Sequence, residues 1–238
     1  MQKFVRQGEA NRLLEEGDRL ASEGDLDAAT EKYQAAKTLD PLLTFEAGKL
    51  AQREALEAEV NRLITEGEKL AEAGDVEGAI AKFQAAKTQS PHLVIAPDSL
   101  ARRVAAEAKI AEADAALGDD QLSSALTAFT QAQQLYPDVL AQGDLLSSLC
   151  WRGSLNGVAA DVIDICEQAV TAAPDHAGTR DSRGLARALT GNIEGAIADF
   201  QFFVDNSENE AGKQQRQQWI QQLQAGQNPF TPEVLKGL

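Results

Sequence analysis

The chain has 238 residues, with 37 acidic against 22 basic side chains and a formal charge of −15, a balance that opposes binding to phosphate backbones or anionic lipid. Nucleic acid and membrane surfaces are therefore not expected partners. At 43% hydrophobic but only 5% aromatic, the core must come mainly from Ala, Leu, Ile and Val, a composition that suits helices.

The opening residues, QKFVRQGEA, are too polar for a signal-peptide core, and no stretch approaches the length of about 20 apolar residues that a membrane span needs, so a soluble, cytoplasmic protein is expected. The same residues resemble QREALEAEV farther along, so the chain is expected to start inside a long helix, as a piece of a longer protein. Next comes an internal repeat. NRLLEEGDRLASEGDLDAATEKYQAAKTLDPLL from Asn11 realigns on NRLITEGEKLAEAGDVEGAIAKFQAAKTQSPHL from Asn61, an offset of 50 that sets Gly17 on Gly67, Gly24 on Gly74, Tyr33 on Phe83 and Pro41 on Pro91. Apolar residues recur at helical spacing (Leu13, Leu20; then Ala29, Tyr33, Ala36), and Gly24-Asp25 breaks the pattern between them. Each unit reads as a helical hairpin. Gly17 and Gly67 face the partner helix, Gly24 and Gly74 end the first helix, and Tyr33 and Phe83 are the bulky knobs.

Between the two units, FEAGKLAQREALEAEVNRLITEGEKLAEA reads as one long helix with Leu56, Leu63 and Leu70 at sevens and Val60 between them. Its added length, about 16 residues or roughly 24 Å, predicts front hairpins that are spaced or splayed, an elongated arm on a compact C-terminal part at about 140 to 226. The stripe Leu56, Val60, Leu63, Leu70 also offers an alternative function, homo-oligomerisation through a coiled coil. A third, irregular hairpin follows, with Gly118, Ala125, Phe129, Ala132 and Pro137 and a turn expected to be two residues longer. Two contiguous units come after it at an offset of 34, pairing Cys150 with Gly184, Gly157 with Gly191 and Cys166 with Phe200. Finally, AGKQQRQQWIQQLQAG reads as a closing helix with Trp219, Ile220 and Leu223 inward, and a short helix starts at Thr231 with Pro232 in its first turn. The expected division is 1–110, 111–142, 143–210 and 211–238.

The spacing small, Leu, Gly, Ala, aromatic, Ala, Pro resembles the tetratricopeptide repeat, a 34-residue helix-turn-helix. The fold expected is all-α: a tetratricopeptide-like α-solenoid of about five hairpins with long helical spacers and a C-terminal capping helix. SLCWRGS, RDSRGLARALTG and RQQWIQQLQAGQNPF resemble tail regions of large bacterial signalling proteins, which join such repeats to NTPase, caspase-like or β-propeller modules. The resemblance implies a scaffold or sensor segment that presents a concave groove to a protein or peptide.

Enzyme motifs are absent: the chain has no phosphate loop, HExxH, CxxC or GxSxG. No catalytic residue, metal site or cofactor is expected. Cys150 and Cys166, at packing positions, are read as small buried inert thiols, too few for a disulfide framework. The family's groove-lining positions fall on Asn11, Leu14, Asp18, Ala21 and Ser22 and on Asn61, Ile64, Glu68, Ala71 and Glu72. Such an acidic, partly apolar surface favours a basic or amphipathic segment over a chaperone's C-terminal carboxylate. Trp151 and Arg152 map to the groove in the fourth hairpin, where Trp151 reads either as a binding residue or as packing between repeats. Arg180, Arg183 and Arg187 form one helical stripe where apolar packing is usual, either ion pairs with Asp161, Asp164 or Glu167 or an anion-recognition patch.

Overall fold

Two short signals make the turn within each of the first two hairpins. Asp25 accepts from the amide of Ala28 and Asp75 from that of Gly78, and each opens a second helix whose preceding turn ends on a glycine at φ 87°. A computed structural model describes residues 2–139 and 143–238, and among them the chain is all-helical. It divides into two units, residues 1–105 and 106–238. The expected boundary near 142 lies at residues outside those described.

The first unit holds α1 (Gln2–Ser22), α2 (Leu26–Leu39), α3 (Ala47–Glu72), α4 (Val76–Gln89) and the start of α5 (Pro97–Gly118). Ring against glycine sets how closely the paired helices approach. A Cβ on Gly17 would lie 2.5 Å from the Tyr33 ring, and one on Gly67 would lie 2.6 Å from that of Phe83. The Tyr33 hydroxyl, otherwise buried, donates to Asp18 at 2.6 Å. Burial, and then this hydrogen bond, pushes the phenol well above its ordinary range.

The long helix α3 is present as expected, and different parts of it pack with the two hairpins. Ala47 and Ala51, in its first turns, join Ala21, Ala29 and Tyr33 in one buried cluster and so close the first hairpin, while Val60 and Leu63 pack with Ala86 of the second. The spacer is thus also a shared element, its first turns belonging to one hairpin and its last turns to the next. The repeat that the chain uses is therefore the whole stretch from Asn11 to Asn61, hairpin plus closing turns. The Lys37 ammonium donates to the Phe45 carbonyl at 2.6 Å, and its counterpart in the next repeat, Lys87, to that of Ile95 at 2.8 Å. Ala101, at the place of Ala51, is as fully buried.

The second unit continues with the rest of α5, α6 (Leu122–Leu135), α7 (Gly143–Leu155), α8 (Ala159–Ala172), α9 (Ala177–Leu189), α10 (Ile193–Asn206), α11 (Glu210–Gln224) and α12 (Pro232–Lys236). The α5–α6 turn corrects the expected irregular third hairpin. Asp120, at φ 62°, stands as far before Phe129 as Gly24 stands before Tyr33 and Gly74 before Phe83. The turn has the ordinary length, and Asp120 rather than Gly118 takes the left-handed position that aspartate tolerates. At the C-terminal end Trp219, Ile220 and Leu223 are buried as expected of a closing helix. Trp219 meets Phe200 at 5.4 Å and Phe230 at 5.0 Å between ring centres, so the segment after α11 folds back over it.

Candidate functional site: a groove along the first helices of the second unit

A groove of about 620 Å³ runs over α5, α7 and α9 and is lined by Asp114, Leu117, Ser147, Ser148, Trp151 and Ser182, with Arg152 at its edge. Farther along the same two helices, α5 and α7, a cleft of about 280 Å³ is lined by Glu107, Ile110, Asp114, Asp144 and Leu145. Asp114 belongs to both, so the two join into one surface, mainly polar beside the three serines and more apolar beside Ile110 and Leu145, with Asp114 and Asp144 among its lining.

Register explains why these residues line it. With Ala113 at the place of Gly17, Asp114 is the counterpart of Asp18 and Glu68, and Ile110 that of Leu14 and Ile64. One hairpin on, Ser147 and Trp151 stand at the same two positions. Of the expected groove residues, only Trp151 and Arg152 lie on this surface. Asn11, Asp18, Asn61 and Glu68 are exposed on α1 and α3, whereas Leu14 and Ile64 are half-buried in the packing of the first unit.

Both side chains at the groove are held firmly. Trp151 is half-buried, packs with the Phe200 and Trp219 cluster, and lies 5.7 Å from the Arg216 guanidinium. That guanidinium is also 4.5 Å from the Trp219 ring and 5.1 Å from that of Phe203, and donates twice to Asp181, at 2.8 and 2.6 Å. Burial raises the Asp181 carboxyl above its ordinary value, against the pull of Arg216. Arg152 donates to the Leu117 carbonyl, and to Asp120 at 2.7 Å. It thereby adds a second donor to a carbonyl that already accepts from the Asp120 amide, and ties α7 to the α5–α6 turn.

The arginine stripe braces three helices. Arg183 donates to both oxygens of buried Asp199 on α10, at 2.8 and 2.7 Å, and to Glu167 on α8 at 2.7 Å. Arg187 bonds the same two carboxylates, Glu167 at 2.6 Å and Asp199 at 2.9 Å. Arg180 lies 4.2 Å over the Phe202 ring and donates to the Pro174 carbonyl at 2.8 Å. Glu167 is thus one acceptor, and the other is Asp199 rather than Asp161 or Asp164. Burial opposes ionisation of Glu167, but hydrogen bonds and charge from Arg187 and Arg183 outweigh it and hold the carboxyl below its ordinary value.

The cysteines overturn the expectation of inert thiols. Cys150 on α7 and Cys166 on α8 form a disulfide, both wholly buried, at the positions that Gly17 and Tyr33 hold in the first hairpin. Their spacing of 16 residues is that of the glycine and ring pairs, and this is the signal that they face each other. Among the described residues no group of three His, Cys, Asp or Glu side chains is arranged to hold a metal ion, and no helix is long and apolar enough to cross a membrane.

No protein-family model matches the chain, and no curated protein matches it. Among solved structures it is similar to the TPR domain of P58(IPK), with a TM-score of 0.41 and 15% identity over 91% of this chain and 79% of that one. It is also similar to TTC0263, a thermophilic TPR protein of Thermus thermophilus, with a TM-score of 0.34 and 18% identity over 89% of this chain and 98% of that one. Within each unit the described residues fold as tetratricopeptide-like hairpins, a glycine, alanine or cysteine of the first helix set against an aromatic ring or the second cysteine.

Proposed function

We propose that the chain is a protein-interaction scaffold, and that the groove along α5 and α7 takes a basic, amphipathic segment of a protein partner. One observation carries this reading: on the first helices of successive hairpins, Ile110 and Leu145 line one cleft together with the carboxylates of Asp114 and Asp144. An apolar stripe on the ligand would cover Ile110 and Leu145, and lysines or arginines would meet the carboxylates. Because the groove walls are tied by Arg152 and by the Arg216 cluster, little ordering is left to be done on binding. The resemblance of the C-terminal segments to tails of bacterial signalling proteins supports a place within a larger assembly of that kind. The self-assembly alternative has less support, since Val60 and Leu63 are only 7% exposed and are used within the first unit, while Leu56 of the same stripe is exposed.

The test is fluorescence anisotropy with a labelled amphipathic Lys/Leu peptide and an acidic peptide of the same length. The basic peptide should bind, and its affinity should fall with salt and drop by about tenfold or more with Asp114→Lys, while Glu68→Lys in the first unit leaves it unchanged. Equal binding of the two peptides, or indifference to Asp114→Lys, would count against the groove.

A further inference from the structure

In three hairpins a glycine on the first helix lies under an aromatic ring of the second: Gly17 and Tyr33, Gly67 and Phe83, Gly184 and Phe200. The ring fills the space between the two helices and holds them by contact. In α7–α8 that pair of positions carries Cys150 and Cys166, and a covalent bond stands where the ring would be. The same α7 supplies Ser147, Ser148, Trp151 and Arg152 to the groove. We propose that the disulfide is a redox-controlled staple of the groove wall: oxidised, it fixes α7 against α8, and reduced, it leaves this hairpin without the ring contact that holds the others.

The chemistry balances with a thiol partner alone. A thiolate of an incoming dithiol attacks one cysteine sulfur and the other cysteine leaves as a thiolate. The reductant's second thiol then closes its own disulfide and frees the first cysteine, so two electrons and two protons pass to the protein. Closure runs the other way, with a disulfide-bearing oxidant taking up the electrons and protons. Since neither sulfur is exposed, the reductant reaches the bond only after α7 and α8 part, which makes reduction of the folded chain as slow as that opening. An oxidising compartment keeps the staple closed, in contrast to the cytoplasmic setting expected from composition. The hold on α7 is independent of any ligand, and only its effect on binding rests on the groove being the binding surface.

Hydrogen–deuterium exchange of the full chain, read by mass spectrometry with and without dithiothreitol, tests it. On reduction the amides of α7 and α8 should exchange about tenfold faster or more, with those of α1 to α4 unchanged. The double variant Cys150→Gly/Cys166→Phe, which installs the glycine and ring of the other hairpins, should recover protection and ignore the reductant. Cys150→Ala/Cys166→Ala should match the reduced chain in either condition. Equal exchange of the oxidised and reduced chains would overturn the proposal, as would alkylation of both cysteines after unfolding without reductant; these wild-type measurements decide even if a variant does not fold. Should the basic peptide bind neither redox form, the groove reading fails while exchange still judges the staple.

Discussion

Gly17 lies so close under Tyr33 that an added methyl carbon would sit 2.5 Å from Cε1 of the ring. The ring is fully buried and its hydroxyl is fixed on Asp18, so it has little room to withdraw. Gly17→Ala should therefore cost about 1–3 kcal/mol despite the better helix propensity of alanine. Gly8→Ala, in the same helix with nothing within 4 Å, should instead gain up to about 1 kcal/mol. Urea denaturation followed by circular dichroism reads both, and opposite signs are the expected result.

The arginine brace predicts a pH dependence. A carboxyl held below its unfolded-chain value adds stability that is complete above that value, 4.5 for Glu167, and is lost as pH falls through the lower folded value. Asp181, raised by burial, works in the opposite sense: its contribution is full in acid and is lost as pH rises through its raised value. Glu167→Gln should thus lower the melting temperature near neutrality, and the gap to wild type should close as pH falls below 4.5 and through the lowered folded value. Asp199→Asn should be harsher, about 3 kcal/mol, because it removes the buried carboxylate that Arg183 and Arg187 both bond and leaves the two guanidiniums to share Glu167. Melting curves taken between pH 3 and 7 check both expectations.

Leu63 separates packing from self-association. It is 7% exposed and packs with Val60 and Ala86, so Leu63→Glu buries a charge without a partner. A loss of about 3 kcal/mol or more in stability is expected, with no change in the mass of the folded fraction by light scattering. Leu56→Glu, at a position 42% exposed, should leave both stability and mass close to wild type. A fall in mass with Leu56→Glu would restore the coiled-coil alternative.

Asp120 holds a left-handed backbone and an ion pair to Arg152 at once. Asp120→Asn keeps the tolerance for that backbone and should change stability by less than about 1 kcal/mol. Asp120→Val, β-branched at φ 62°, should cost about 1–3 kcal/mol. Thermal melts of the two variants, compared with wild type, distinguish backbone strain from loss of the pair.

The hairpins are legible in the sequence because glycine, small residue and ring recur at fixed spacing, which aligning the segment from Asn11 on that from Asn61 exposes directly. What hides part of the groove is the search for a turn glycine in the third hairpin. Gly118 lies just before the true turn position, and taking it for the counterpart of Gly24 shifts Asp114 out of register with Asp18 and Glu68. Aspartate can adopt the same backbone, so the turn leaves no glycine to find. The disulfide escapes for a related reason: Cys150 aligned on Gly184 and Cys166 on Phe200 each read as a single packing residue, although facing positions in one hairpin make them neighbours. The partners of Asp199 and Arg216 follow from three-dimensional packing across helices 12 to 35 residues apart, which hydrophobic periodicity does not encode.

The sharing of α3 between two hairpins settles what a duplication or deletion must contain. Its first turns finish one hairpin and its last turns begin the next, so a cut directly after a single helical hairpin would strip Ala29 and Tyr33 of their cover from Ala47 and Ala51. Lengthening or shortening this part of the chain preserves the fold only in whole steps of the distance from Lys37 to Lys87. Such a step can begin anywhere in the period, in the manner of a circular sequence, because every starting point returns the same closed set of contacts.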